Sequence, residues 1–211
     1  MTATNSRPGI LAIWNDCAPS READFEHWFQ SEHLAERLAV PGFRRGRRHE
    51  AVSGAPKYFV FYLTDSPDVL TSPAYLERVN NPTPLTVEMM SGVFRNMNRT
   101  VCHLAARRGE MRGAFAVTAR FARPQEADAL SDTLAQLVTG DGVACGEIWT
   151  TADAPPSMST EEKLRGGDRR ISDCLMVETL READARKCAE QMTQAFGGDA
   201  EIGIYRLLCE L

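Results

Sequence analysis

Two stretches of this sequence, about one hundred residues apart, run through the same series of local signals, and that repetition narrows the available folds more than any composition figure does. In the first stretch, residues 9–15 are an apolar run of strand length. Ser20, followed by acidic residues, reads as a helix start, because a serine oxygen can accept from exposed first-turn N–H groups. Phe25, Trp28, Phe29, Leu34 and Leu38 recur at helical spacing and make one apolar face, which Pro41-Gly42 ends. Residues 43–52 read as a polar strand, 54–56 as a turn and 58–63 as an aromatic, β-branched strand. Ser72 and Pro73 open another helix, since proline suits the first helical turn. Residues 80–84 interrupt it, a second helical piece covers 85–97, and a fourth strand covers 99–106.

The second stretch repeats the order. Strands are expected over 114–121, 144–151, 171–180 and 201–209, with helices over 125–138 and 182–196. Residues 154–168 read as an exposed, mobile loop. Each half is then β-α-β-β-α-β, the split β-α-β unit of ferredoxin-like proteins. Such a unit covers one sheet face with helices and leaves the other bare, and the bare faces must be buried. The expected fold is α+β: two tandem ferredoxin-like units whose antiparallel sheets pack into one α+β barrel, with a cavity between the sheets. The expected division is a disordered N-terminus over 1–8, a first unit over 9–106, a linker over 107–113 and a second unit over 114–211.

The net charge of −5 and pI near 5.5 argue against a nucleic-acid partner. Arg44, Arg45, Arg47 and Arg48 are a local exception, either a solvated strand edge or an anion-binding lip over a cleft. Six cysteines lie scattered with no C-x-x-C pair, and their spacing fits neither a zinc site nor a compact disulfide framework. The start of the sequence shows no signal-peptide pattern, and no run approaches the ~20 apolar residues of a membrane span. A reducing cytoplasm is the expected location.

Phe25-Glu26-His27-Trp28-Phe29-Gln30-Ser31-Glu32-His33, followed by Pro41-Gly42-Phe43-Arg44-Arg45, resembles the EthD-like branch of the dimeric α+β barrel superfamily. That branch has an aromatic-rich first helix, a histidine near its end and a Pro-Gly turn into an arginine-rich strand. The likeness spans roughly residues 8–106; the second half shares only element order. Ala35 stands where the family commonly has proline. The superfamily includes monooxygenases, heme-degrading enzymes, isomerases and cyclases, so the resemblance implies a fold and a site position without choosing a reaction.

His33 is the candidate catalytic residue, because an imidazole can act as acid or base near neutrality. The resemblance also implies that it lines the barrel mouth; the competing reading is a helix-end cap. Arg45, Arg47 and His49 share one strand face and would hold a carboxylate, phenolate or enolate if that face lines the cavity. Tyr58 and Tyr62 share a face of the next strand and could donate to a carbonyl. Trp14 and Asn15 end the first strand and face opposite sides; with His33 they echo the working set of heme-degrading relatives, in a different sequence context. No phosphate loop, nucleophile elbow or metal-ligand spacing is present, and neither cofactor nor metal is expected.

The leading expectation is an enzyme or binder for a small hydrophobic molecule, in its most concrete form a cofactor-free isomerase, cyclase or lyase acting on a carbonyl compound. A cofactor-free monooxygenase and a non-catalytic binding or assembly protein are the alternatives. The sheet pairing admits a homodimer as well as a monomer.

Overall fold

The computed structural model describes residues 7–153 and 157–211. The described residues form eight strands and seven α-helices. The strands are β1 (Gly9–Cys17), β2 (Phe43–Ser53), β3 (Tyr58–Thr64), β4 (Phe94–Arg108), β5 (Phe115–Phe121), β6 (Val143–Thr151), β7 (Asp173–Thr179) and β8 (Ala200–Glu210). The helices are α1 (Glu22–Trp28), α2 (Leu34–Leu38), α3 (Pro73–Asn80), α4 (Pro84–Glu88), α5 (Ala127–Leu137), α6 (Thr160–Leu164) and α7 (Glu182–Phe196). α1 and α2 are joined without a break by a π-helical turn, Phe29–His33, and a second π turn, Met89–Val93, follows α4.

The strands close into one antiparallel barrel in the order β1-β3-β2-β8-β5-β7-β6-β4. Within each half the order is fourth, first, third, second, the arrangement of the ferredoxin-like unit. The two sheets join along β2–β8 and β4–β6, where pairs such as Arg48↔Cys209 and Arg107↔Glu147 form the seams.

Closure follows from strands that bury both faces. Leu11, Ile13, Tyr58, Val60 and Tyr62 face the helices of the first half, where Phe25, Trp28, Phe29 and Val93 cover them. Val117, Ala119, Leu175 and Val177 do the same beneath α5 and α7. The alternate residues, including Trp14, Phe59, Phe61, Trp149, Met176 and Tyr205, meet inside the barrel. Gly46 and Gly146 hold equivalent places in the two halves. A Cβ at Gly46 would lie 2.7 Å from Leu34 Cδ1, and one at Gly146 would lie 2.4 Å from Leu134 Cδ1, so each glycine lets a helix sit close on its sheet.

Several local expectations change. Ser20 does not cap α1; residues 19–21 form a 3-10 turn and α1 starts at Glu22 without a side-chain cap. The helical piece after Pro84 stops at Val93, and β4 begins at Phe94 rather than 99, because pairing with β1 extends to Cys17↔Phe94. Ser72 does cap α3, accepting from the Tyr75 N–H at 3.2 Å. The Pro41-Gly42 stop also stands, with Gly42 at φ +94°, where a side chain would be strained. The expected disorder over 1–8 falls mostly on residues 1–6, outside the described residues; Pro8 accepts from the Leu104 N–H. The expected mobile loop over 154–168 is corrected for 157–168, which carry α6 and bury Glu161 and Glu162 against the first half; 154–156 lie outside the described residues. Among the described residues, no helix is long and apolar enough to cross a membrane.

Candidate functional site

The space between the sheets is packed with side chains. Trp14 stacks on Phe59 with centroids 4.9 Å apart, His49 stacks on Phe59 and Phe61, and Trp149 packs on Phe61 at 5.3 Å. This corrects the expected inter-sheet cavity, and with it the placing of three candidates. His49 is fully buried; its Nδ1 lies 3.3 Å from the Phe59 carbonyl, and burial, then the Arg47 charge, push its pKa down to about 3. Arg47 reaches the Gly113 carbonyl at 2.7 Å and pairs with Glu178 and Glu210. Arg45, at the rim, pairs with Glu210 at 3.2 Å. The arginine face does hold carboxylates, and they are the protein's own.

The pocket lies on the opposite face of the first sheet, beneath the helices. It is a narrow cavity of about 30 Å³. β1 supplies Leu11, Ile13 and Asn15 to its floor, β3 supplies Val60 and Tyr62, and β4 supplies Met97 and Arg99. These are alternate residues on each strand, as the pleat requires. The wall is Phe29, His33 and Arg37, four residues apart on one helical face. Four-residue spacing puts these side chains on one side, and the π turn lies within the wall, where the Leu34 N–H bonds the Phe29 carbonyl five residues back. Met90, from the second π turn, closes another side.

The roof comes from the second half. α6 and the residues after it carry Glu161 and Arg165, also four apart, over the pocket. Glu161 forms a buried ion pair with Arg37. Arg165 is held by Asp168 at 2.6 Å. The segment is stitched to β4 by Arg169 N–H to Met97 O and Arg99 N–H to Arg169 O, each 2.9 Å.

Within this enclosure His33 is 5% exposed. Its ring lies against Trp28, centroids 4.2 Å apart, and Trp28 is itself fixed by donating to Thr86 Oγ1 at 3.1 Å. The Nδ1 of His33 is buried and has no hydrogen-bond partner among the described residues. Burial, followed by the Arg37, Arg165 and Arg48 charges, drives its pKa well below the ordinary imidazole value, so the ring is neutral at pH 7. The Tyr62 hydroxyl is likewise buried and unpartnered among the described residues, and burial raises its pKa, so the phenol stays protonated. For Arg37, burial opposes the charge but the Glu161 carboxylate more than offsets it. Among the described residues, no group of His, Cys, Asp and Glu is arranged to hold a metal.

The structure therefore brings together His33, Tyr62 and Asn15 and separates the other candidates. Trp14 points into the barrel while Asn15 faces the pocket, so the Asn-Trp-His set of heme-degrading relatives is not assembled. Tyr58 shares a face with Tyr62 but donates to Glu22 at 2.6 Å, outside the pocket lining. Arg37, Glu161 and Arg165 escaped the sequence reading, and Arg99 also lines the pocket. Arg37 was accessible to it, standing four residues beyond His33; Glu161 and Arg165 reach the pocket only by folding of the second half over the first.

No family model matches the sequence, and no curated protein matches it. Solved structures do. A putative monooxygenase from Fusobacterium nucleatum superposes with a TM-score of 0.62 at 6% identity, over 98% of this chain and 95% of that one. An anthrone oxidase-like protein gives 0.61 at 10% identity, over 100% and 95%. A chlorite dismutase from Candidatus Nitrospira defluvii gives 0.54 at 10% identity, over 96% and 92%. The fold is that of the α+β barrel proteins. At these identities the likeness extends to the fold alone.

Proposed function

We propose that this chain is a small-molecule enzyme that takes a proton from a carbon next to, or conjugated through a ring with, the carbonyl of a hydrophobic, ring-bearing compound. His33 acts as the base, and Tyr62 with a pocket arginine holds the enolate or phenolate that forms. The observation that carries this reading is His33 itself: a neutral imidazole with an unpartnered ring nitrogen, walled by Phe29, Met90 and Met97 and close to the guanidiniums of Arg37, Arg99 and Arg165. In a low-dielectric pocket such charge favours an anion far more than it would in water.

If the proton returns elsewhere, or a neighbouring bond breaks, the outcome is isomerisation, cyclisation or elimination without a cofactor. A second reading is oxygenation: dioxygen captures the carbanion, and loss of water leaves a carbonyl where a CH2 stood. The fold shared with proteins described as a monooxygenase and as anthrone oxidase-like is the observation that favours it.

Anthrone and simple ring ketones are the substrates to screen. Deuterium uptake from D2O under argon, at the ring CH2 of anthrone that is conjugated with its carbonyl or at the α-carbon of a ring ketone, reads the proton step, and product mass under oxygen reads oxygenation. The wild type should accelerate one of them, and His33→Ala should lose roughly a hundredfold or more in rate. Equal rates in wild type and His33→Ala would leave a non-catalytic binding protein as the reading.

A further inference from the structure

Beside the His33 pocket lies a second, larger cavity of about 230 Å³. Leu70, Val79 and Met158 give it apolar walls, and Lys163 stands among its polar lining. Tyr75 and Arg99 line both cavities. The other two guanidiniums of the His33 pocket are paired, Arg37 with Glu161 and Arg165 with Asp168. Arg99 makes no ion pair with the described residues; its Nη2 donates to the Tyr75 hydroxyl at 2.6 Å. That hydroxyl accepts, and its own proton has no acceptor among the described residues. A guanidinium does not shed its charge, and a half-buried one whose nearby carboxylates, Glu161 and Asp168, are already paired with Arg37 and Arg165 favours an anion that can reach it.

We infer that Arg99 and Tyr75 form the anion seat of a two-chamber site, and that its ligand is an amphipathic organic acid. The apolar ring occupies the His33 chamber, the carboxylate takes two donors from Arg99 and Tyr75, and any further chain extends past Met158 toward Lys163. This rests on the proposed function for the identity of the first chamber, and it narrows the substrate class to carbonyl compounds that also carry an acid.

The test is equilibrium binding of 2-naphthoate and of its neutral isostere 2-naphthamide, by calorimetry and by Trp28 fluorescence. Binding is read without turnover, so failure of His33 as a base leaves this measurement untouched, and the reverse also holds. The wild type should prefer the carboxylate by roughly tenfold or more, the worth of a charge-assisted hydrogen bond. Arg99→Gln should remove the preference for naphthoate over the amide, and Arg99→Lys, which keeps the charge, should retain a preference for the acid. Equal wild-type affinities, no naphthoate binding at millimolar concentration, or an Arg99→Gln variant that melts like wild type and keeps the preference would overturn the assignment.

Discussion

His33 and His49 are both buried and both held neutral, one in the pocket wall and one inside the barrel, and each makes the protein sensitive to acid. In the unfolded chain both titrate near 6.5. Folded, His33 titrates well below that value and His49 at about 3. As pH falls through about 6.5 the unfolded state takes up protons that the folded state refuses. The stability contribution is therefore complete above that pH and is lost below it, by up to ~1.4 kcal/mol per pH unit for each histidine. Urea midpoints should be level from pH 7 to 8 and fall between pH 6.5 and 5. Glu178 and Asp173, whose pKa values burial raises, oppose that fall at lower pH. A midpoint unchanged at pH 5 would contradict the buried, neutral state of both rings. The same displacement predicts that the acid limb of kcat/KM lies well below 6.5, where an exposed histidine base would place it.

The first helix and the α6 segment meet at one ion pair. Arg37 and Glu161 are 3% and 6% exposed as side chains, too dry for the pair to count as surface decoration. Removing one partner leaves the other charge buried, which typically costs about 3–5 kcal/mol, whereas replacing both with apolar groups of similar volume is often close to neutral. Glu161→Gln should accordingly lower the unfolding free energy by about that amount. Arg37→Met combined with Glu161→Leu should recover most of it. Chemical denaturation of the single and double variants checks this, and a double variant no better than Glu161→Gln would show that the pair is not the tie between roof and wall. The π turn is the other element-level device. A regular helix advances about 100° per residue, so Phe29 and His33, four apart, share a face in either geometry; the wide turn instead shifts the register of α2 relative to α1.

Across the whole molecule, each half depends on the other in two ways. The first sheet buries Trp14, Phe59 and Phe61 against Trp149, Met176 and Tyr205 of the second. Its pocket is roofed by Glu161 and Arg165, which the second half supplies. Residues 7–108 made alone should expose the inner sheet face, self-associate on size exclusion and bind a hydrophobic dye, and should not bind ligand in the His33 pocket. A soluble monomer with native-like near-ultraviolet dichroism would contradict this. The same dependence predicts one cooperative unfolding transition for the full chain.

The sequence by itself determined the elements and their order, since strand alternation, helical spacing and the Pro-Gly stop are local and need no distant partner. It also placed Trp14 and Asn15 on opposite faces and Tyr58 and Tyr62 on the same one, because the pleat has a fixed period of two. It singled out His33 but put the cavity on the wrong side of the sheet. Which face of a doubly buried sheet keeps a void depends on how completely the opposing side chains fill it. Three aromatic residues of the first sheet, with Trp149 and Tyr205, fill the barrel here, and that sum is visible only once both halves are assembled. Arg45, Arg47 and His49 share a face as their spacing requires, yet Arg45 and Arg47 meet Glu178 and Glu210, more than one hundred residues away in sequence. The roof of the pocket is likewise a tertiary decision. Nothing local in 157–168 says that Glu161 will find Arg37, because a buried ion pair is selected by the low dielectric and the geometry that folding itself creates.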